Sequence, residues 1–144
     1  MKILDLLTPK RKKGNVGEDA AAKYLKRHGF RILHRGFVAN GHEIDIIAES
    51  RELVAIVEVK TRTVTGLGGY QARPAAAVTP EKQRSIINAT KAYMALKPYG
   101  KPIRLDVIEV YLEEEKGLRV KEIKHIPSAF DINTAAVGYR KERK

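Results

Sequence analysis

The spacing of apolar residues along the chain predicts two helices. The first should begin near Asn15, because Glu18 stands three residues later in the pattern of a capping box, and Gly29 is its expected end. The second should begin after the N-cap residue Thr79 and run to about residue 97. Its predicted buried side carries Ile86, Ile87, Thr90, Tyr93 and Met94. Each helix has one side that is more apolar than the other, so each should pack against another layer of the fold.

Five shorter apolar runs are typical of strands. They are residues 30–37, 43–49, 53–60, 103–112 and 118–126. Only three residues separate the second run from the third, which predicts a tight antiparallel hairpin. The third run is apolar on both faces from Leu53 to Val57, so this strand should be central and covered on both sides. The order of elements predicts an α/β domain in which helices flank a central mixed β-sheet.

Composition is that of a single soluble domain. The chain has 144 residues, of which 43% are hydrophobic and 31% charged, enough apolar material for a core. It contains no cysteine, which excludes disulfides, iron–sulfur clusters and thiolate zinc sites. No run approaches the roughly 18 apolar residues of a membrane span. We expect a cytoplasmic protein with a flexible basic N-terminal arm (residues 1–13), an α/β domain (residues 14–126) and an irregular basic C-terminal tail (residues 127–144).

The charge of the chain favours a polyanionic partner. Lysine and arginine total 28 against 17 acidic residues, a formal net charge of +11. This exceeds the roughly 2–8 charges that solubility alone requires of a small domain. A basic surface of this kind binds nucleic acid through the release of condensed counterions. The alternative is a solvated basic surface that only keeps the protein in solution.

Two acidic residues interrupt the apolar strands of the predicted hairpin. Asp45 lies among isoleucines and Glu58 between valines, while Lys60 shares the face of Glu58 through strand alternation. A turn at residues 51–52 places Asp45 opposite Glu58, whereas a register shifted by one residue separates them. The sequence alone leaves both registers open, because both faces of these strands are apolar.

A pair of adjacent carboxylates is typical of a divalent-metal site. Two such groups repel each other, and a hard cation such as Mg²⁺ (or Mn²⁺) relieves the repulsion while accepting water and phosphate oxygens as further ligands. The metal can polarise a phosphodiester and activate a bound water, and Lys60 can orient that water or take its proton. The alternative is that these residues form a polar strand end without any chemistry.

Several motifs in this order resemble the bacterial YraN-type family. They are Gly14-x-x-Gly17-Glu18, Glu43-Ile44-Asp45-Ile46-Ile47-Ala48, Val57-Glu58-Val59-Lys60-Thr61-Arg62 and Arg104-Leu105-Asp106-Val107. That family is similar to archaeal Holliday-junction resolvases and belongs with the restriction-endonuclease-like, PD-(D/E)xK nucleases. The resemblance implies a Mg²⁺-dependent endonuclease that hydrolyses DNA phosphodiester bonds, with branched or structured DNA as a candidate substrate. Kinship with resolvases, which cut two strands, also favours a homodimer.

The resemblance assigns roles to individual residues by position. Asp45 and Glu58 match the paired metal-binding acids, and Lys60 matches the catalytic lysine. The main-chain carbonyl of Val59 is implied as a further metal ligand. Glu18 matches an acid of the first helix that reaches the same site, although the predicted capping box explains this residue equally well.

Basic residues that follow the site are candidates for contacts with phosphate groups. They are Arg62, Arg73, Lys82 and Arg84. Each alone is typical of a solvated charge, so only the cluster supports nucleic-acid binding. Asp106 is expected either to support the site from the next strand or to pair with Arg104 or Lys60. The alternative function is a nucleic-acid-binding accessory protein that retains the nuclease fold without cleaving.

Overall fold

The computed structural model describes residues 9–64, 78–97, 100–114 and 117–132. Its elements in chain order are α1 (Pro9–Arg27), β1 (Arg31–Ala39), β2 (His42–Glu49), β3 (Val54–Val64), α2 (Pro80–Leu96), β4 (Ile103–Glu113) and β5 (Arg119–Phe130). The strands form one sheet in the order β1-β2-β3-β4-β5, in which β3 and β4 are parallel and the other neighbours antiparallel. This is the predicted α/β fold with a mixed sheet, and it is consistent with a restriction-endonuclease-like architecture.

Each face of the sheet has its own hydrophobic core beneath one helix. The core beneath α2 consists of Ile44, Ile47, Val54, Ile56, Val78, Ile86, Ile87, Ala89, Tyr93, Leu105 and Val107. The core beneath α1 consists of Ala21, Ala22, Leu25, Ile46, Ala48, Ala55, Val57, Ile108, Val110 and Leu112. Because β3 contributes alternate residues to both cores, it is buried on both faces, as its continuous apolar run predicts. Among the described residues, no helix is long and apolar enough to cross a membrane.

The β2–β3 hairpin has the register that a turn at residues 51–52 requires. The last paired positions are Ile46 and Val57, and the preceding pairs keep the same register back to the turn. Asp45 and Glu58 are the next residue on each strand. The register that brings the two acids together is therefore confirmed.

The first helix begins earlier than predicted. Residues from Pro9 onward are already helical, so Asn15 lies inside α1 and the predicted capping box does not exist. Lysine and arginine have high helix propensity, which lets the basic run extend the helix. Residues 9–13 of the predicted flexible arm are thus helical, and residues 1–8 lie outside the described part of the chain. Gly29 follows the helix with a φ of +86°, as expected of a glycine stop.

Two strands extend three or more residues beyond their predicted ends, and one side chain is placed differently. β3 continues to Val64, while most of the predicted connection (residues 65–77) lies outside the described residues. β5 continues past Pro127 to Phe130, because a register shift, with Ser128 at a φ of +52°, lets it pair again with β4. The predicted irregular tail therefore starts within a strand. Met94, predicted to be buried, is 38% exposed because it lies beside the buried stripe of α2.

Candidate metal centre and nucleic-acid interface

The β2–β3 hairpin opens at the two acidic residues. Backbone pairing ends at Ile46 and Val57, and beyond that point Asp45 Oδ2 accepts a hydrogen bond of 2.8 Å from the Val59 N–H. The side chain thus takes the place that a strand carbonyl would otherwise occupy. This bond fixes the Asp45 carboxyl group beside Glu58, where the two strands part.

Asp45 and Glu58 form an electrostatically strained pair. Burial raises the pKa of Asp45 to about 7, the negative charge of Glu58 adds to the rise, and the Val59 N–H opposes it. Glu58 is only 4% exposed, and its Oε1 atom has no hydrogen-bond partner among the described residues. Two adjacent carboxyl groups, one half-buried and one buried, can share a proton or a cation. The pair therefore has the charge and the free oxygen that a divalent cation requires.

Two lysines contact the other oxygen of Glu58. Lys60 Nζ lies 3.4 Å from Glu58 Oε2, and Lys82 Nζ lies 3.7 Å from the same atom. Lys60 comes from the same strand, and Lys82 from the first turn of α2, whose N-cap Thr79 accepts a 3.1 Å bond from the Lys82 N–H. Lys60 lies beside Glu58, on the face that strand alternation predicts, whereas Lys82, predicted as a phosphate contact, is directed at Glu58.

The first helix brings Glu18 to the same region. A Cβ atom at Gly17 would overlap the hydroxyl of Thr61 on β3, so only glycine allows α1 to approach the sheet this closely. Burial raises the pKa of Glu18, a bond of 3.2 Å from Arg35 Nε opposes the rise, and the charge of Asp45 adds to it. Glu18 is thus electrostatically coupled to the acid pair, and the capping-box explanation for it is wrong.

The acid cluster does not have the geometry of a three-ligand metal site. No group of three or more His, Cys, Asp or Glu side chains within the described ranges is placed to hold a metal. Mg²⁺ commonly binds one or two carboxylates and completes its shell with water and phosphate oxygens. The residues present fit such a cation through Asp45 and Glu58, and the Val59 carbonyl remains a predicted ligand.

The predicted phosphate contacts separate in the structure. Arg62 lies on β3 four residues beyond Glu58, with Nε 3.7 Å from Oε2 of the buried Glu109. Arg84 is half-buried on α2, and Arg73 lies outside the described residues. Of the four, Lys82 contacts an acid of the pair, and Arg62 lies on the strand that carries Glu58.

Glu109 is the residue that the sequence interpretation missed. It lies between Ile108 and Val110 in β4, so it carries the same signal as Asp45 and Glu58, an acid within an apolar strand. Its side chain is fully buried, and Oε1 accepts a 2.8 Å bond from the hydroxyl of Tyr111. The parallel register aligns Glu109 with Lys60, which places it on the face of the acid pair.

Asp106 has a structural role on the opposite face of β4. It accepts two 2.8 Å bonds from Arg104, one of 2.8 Å from His125 Nε2 and one of 3.0 Å from the Ser128 N–H. Burial alone would raise the pKa of Asp106, but the bonds from His125 and Arg104 hold it below its usual value. The predicted pairing with Arg104 is confirmed. Asp106 fixes the shifted end of β5 and does not reach the acid pair.

Comparison with known proteins agrees with the motifs. The model of the uncharacterised protein family UPF0102 matches residues 17–110. The UPF0102 protein of Chlorobaculum parvum is 43% identical over 81% of this chain and 90% of its own length. That of Caldanaerobacter subterraneus is 40% identical over 81% and 93%, and that of Clostridium perfringens is 45% identical over 67% and 77%. The names of these relatives state no activity.

A solved structure, described as the crystal structure of SSO0001, aligns with 93% of this chain and 59% of its own. The TM-score of 0.32 and the 16% identity are too low to support any conclusion. The family match covers the acid pair, Lys60 and Glu109, and the relatives align over most of their own length. The chain belongs to the UPF0102 family, that of the YraN-type proteins.

Proposed function

We propose that this protein is a metal-dependent endonuclease that hydrolyses DNA phosphodiester bonds, with branched or structured DNA as its substrate class. The observation that carries the proposal is the adjacent pair of the half-buried Asp45 and the buried Glu58, in which no donor group of the described residues reaches Glu58 Oε1. A domain stabilised only by its core would gain little from placing two carboxyl groups together in this way.

Mg²⁺ or Mn²⁺ is the cofactor that this donor set suits. Asp45 and Glu58 would hold the cation, with the Val59 carbonyl as the further predicted ligand. When bound, such a cation polarises a phosphodiester and lowers the pKa of a bound water. All the proposed donors are oxygen atoms, which a hard cation prefers to nitrogen or sulfur.

The chain's own residues supply orientation and positive charge. Lys60 Nζ lies 3.4 Å from Glu58 Oε2, where its N–H groups can orient a water or a phosphate oxygen beside that carboxylate. Lys82 brings a second ammonium to the same atom from α2. Glu18, whose pKa burial raises, adds a third carboxyl group whose charge interacts with that of Asp45. The positive net charge of the chain favours DNA as the partner.

One observation favours a second candidate, a nucleic-acid-binding accessory protein that does not cleave. Lys60 and Lys82 already neutralise much of the charge of Glu58 without a metal. A protein that only binds nucleic acid could keep this ion cluster as part of its structure. The two candidates differ in whether the acids are needed for cleavage or only for stability.

A cleavage screen tests the proposal. Linear, nicked, flapped and four-way DNA are incubated with the protein and Mg²⁺ or Mn²⁺, and Asp45→Asn and Glu58→Gln are compared with the wild type. Cleavage of at least one substrate, reduced by more than roughly 100-fold in both variants, supports the endonuclease, since even outer partners of metal sites contribute 10–100-fold. Glu52→Gln is the matched control, because Glu52 is exposed at the closed end of the same hairpin.

The variants of Lys60 separate the two candidates. If Lys60 acts in the reaction, Lys60→Ala loses cleavage but still binds Mn²⁺ in calorimetry, and Lys60→Arg restores little because guanidinium does not readily give up a proton. If Lys60 is only a counter-ion, arginine substitutes well and alanine lowers the melting temperature alone. Binding of all the DNA substrates without any cleavage would favour the accessory protein.

A further inference from the structure

The face of the sheet that carries the acid pair continues as a row of polar side chains. Glu58, Lys60 and Arg62 alternate along β3, and the parallel register sets Lys60 beside Glu109 and Arg62 beside Tyr111. Within the described ranges, three buried side-chain atoms have no hydrogen-bond partner: Glu58 Oε1, Arg62 Nε and Glu109 Oε2. All three lie on this face. Buried polar atoms without partners are rare in folded proteins, so their concentration here indicates function.

Glu109 is buried in this row between Tyr111 and Arg62. Its side chain is 0% exposed, Oε1 accepts the bond from Tyr111, and Oε2 lies 3.7 Å from Arg62 Nε. Burial first, and then the contact with Glu109, raises the pKa of Tyr111 to about 12, so the hydroxyl keeps its proton and remains the donor. The remaining oxygen of Glu109 therefore attracts the guanidinium group of Arg62.

Arg62 is buried at one end and exposed at the other. Its Nε atom is inaccessible and faces Glu109, yet the side chain as a whole is 37% exposed. A guanidinium group has five N–H donors in a rigid planar fork, so the orientation of one edge determines that of the other. Arg62 is four residues beyond Glu58, about 13 Å along the strand. It therefore reaches a different phosphate from the one beside the acid pair.

We propose that Glu109, hydrogen-bonded by Tyr111, is a positioning residue that fixes Arg62 so that its outer N–H groups bind a backbone phosphate of the nucleic acid other than the phosphate at the acid pair. The proposal rests on nucleic acid being the substrate, as in the proposed function, but it concerns binding and not cleavage. It accounts for the burial of Glu109 in an apolar strand. No hydrogen bond or ion pair of the described residues joins Glu109 to the predicted metal ligands.

The proposal predicts that removing the acidic group of Glu109 changes the affinity for DNA in an unusual direction. Removing a negative charge from a DNA-binding face should strengthen binding if only the net charge matters. If Glu109 positions Arg62, removing its charge should weaken binding instead. Glu109→Gln keeps the size of the side chain and an acceptor for Tyr111, but the amide no longer attracts the guanidinium group.

The test measures binding of a labelled DNA duplex and a four-way junction by fluorescence anisotropy, without divalent ions, over a series of salt concentrations. We expect Arg62→Ala to weaken binding roughly tenfold. The slope of log affinity against log salt concentration (the salt slope) should become less steep by the amount that about one phosphate contact contributes. Glu109→Gln should weaken binding in the same direction, and the double variant should bind no more weakly than Arg62→Ala. Arg51→Ala removes an exposed arginine at the closed end of the hairpin and should leave the salt slope nearly unchanged.

Binding by Glu109→Gln that equals or exceeds that of the wild type would overturn the proposal, as would additive losses in the double variant. If Glu109→Gln fails to fold by circular dichroism, Arg62→Lys provides the test, because it keeps the charge but lacks the fork that Glu109 orients. Wild-type affinity of Arg62→Lys would then overturn it. A wild-type protein that cleaves nothing, with these binding effects intact, would contradict the endonuclease and leave the role of Glu109 supported.

Discussion

Without a divalent cation, the folded protein should become less stable as the pH rises from about 4 to about 7, and Asp45 should be the main cause. Burial and the charge of Glu58 raise the pKa of Asp45 from 3.8 to about 7. Over this range the folded chain holds a proton on Asp45 that the unfolded chain has lost. Because the folded state binds more protons, the free energy of unfolding falls as the pH rises.

The size of the effect follows from the change in pKa. At about 1.4 kcal/mol for each tenfold change in proton affinity, the rise corresponds to at most about 4 kcal/mol between the two ends of the range. At about 3 °C for each kcal/mol in a domain of this size, this is a difference of order 10 °C in melting temperature. Asp45→Asn removes the titrating group and keeps the shape of the side chain.

Thermal melts in EDTA between pH 4 and pH 8 measure the effect. We expect Asp45→Asn to match the wild type near pH 4 and to be more stable than it at pH 8. At pH 8, Mn²⁺ at about 100 times its Kd should raise the free energy of unfolding of the wild type by about 2.7 kcal/mol and that of Asp45→Asn only a little. The pKa of Glu18 is also raised, so a smaller slope of the same sign should remain until Glu18→Gln is added.

Parallel stability curves for the wild type and Asp45→Asn would refute this reasoning. Asp106 cannot produce the same result, because its pKa is lowered. Its contribution to stability is present above its unfolded value and is lost only as the pH falls below about 4. Asp45 and Asp106 therefore change the free energy of unfolding in different pH ranges and in opposite directions as the pH rises.

Three further predictions concern the helix contact, the Asp106 cluster and the basic charge. Gly17→Ala should lower the free energy of unfolding in urea by about 1–3 kcal/mol, because the added Cβ meets Thr61. Gly14→Ala, which has open space around the added Cβ, should raise it by up to about 1 kcal/mol. Asp106→Asn should cost about 3 kcal/mol by leaving the charge of Arg104 without its partner, yet retain Mn²⁺ binding in calorimetry. The logarithm of DNA affinity should fall linearly with the logarithm of salt concentration, and an affinity independent of salt would exclude phosphate contacts by the basic surface.

The local part of the site could be predicted from the sequence. Asp45 and Glu58 belong to one hairpin with a short turn, and a short turn restricts the register to few possibilities. Lys60 follows from alternation along the same strand. The choice between registers could not be made, because the strands are apolar on both faces and neither register leaves polar residues in a core.

The nonlocal part could not be predicted. Glu109 and Arg62 meet only because β3 and β4 pair in parallel across a long connection, and no local pattern encodes that register. The requirement for glycine at position 17 depends on how closely a helix approaches a strand distant in sequence. The contact of Lys82, a predicted phosphate contact, with Glu58 could not be predicted either, because the sequence does not show which way the first turn of α2 faces.

The irregularities of the two outer strands affect how copies of the protein can associate. β1 has a register shift near its start and a glycine, Gly36, with a φ of +65°. β5, the other outer strand of the described sheet, includes Pro127, which has no N–H to donate, next to Ser128. Such bends and missing donors interrupt the ladder that a strand from another molecule would need. Edge-to-edge pairing and the aggregation that follows from it are thereby disfavoured. If the protein forms the homodimer that its sequence resemblance predicts, the two copies should associate through helices or loops and not by pairing of their sheet edges.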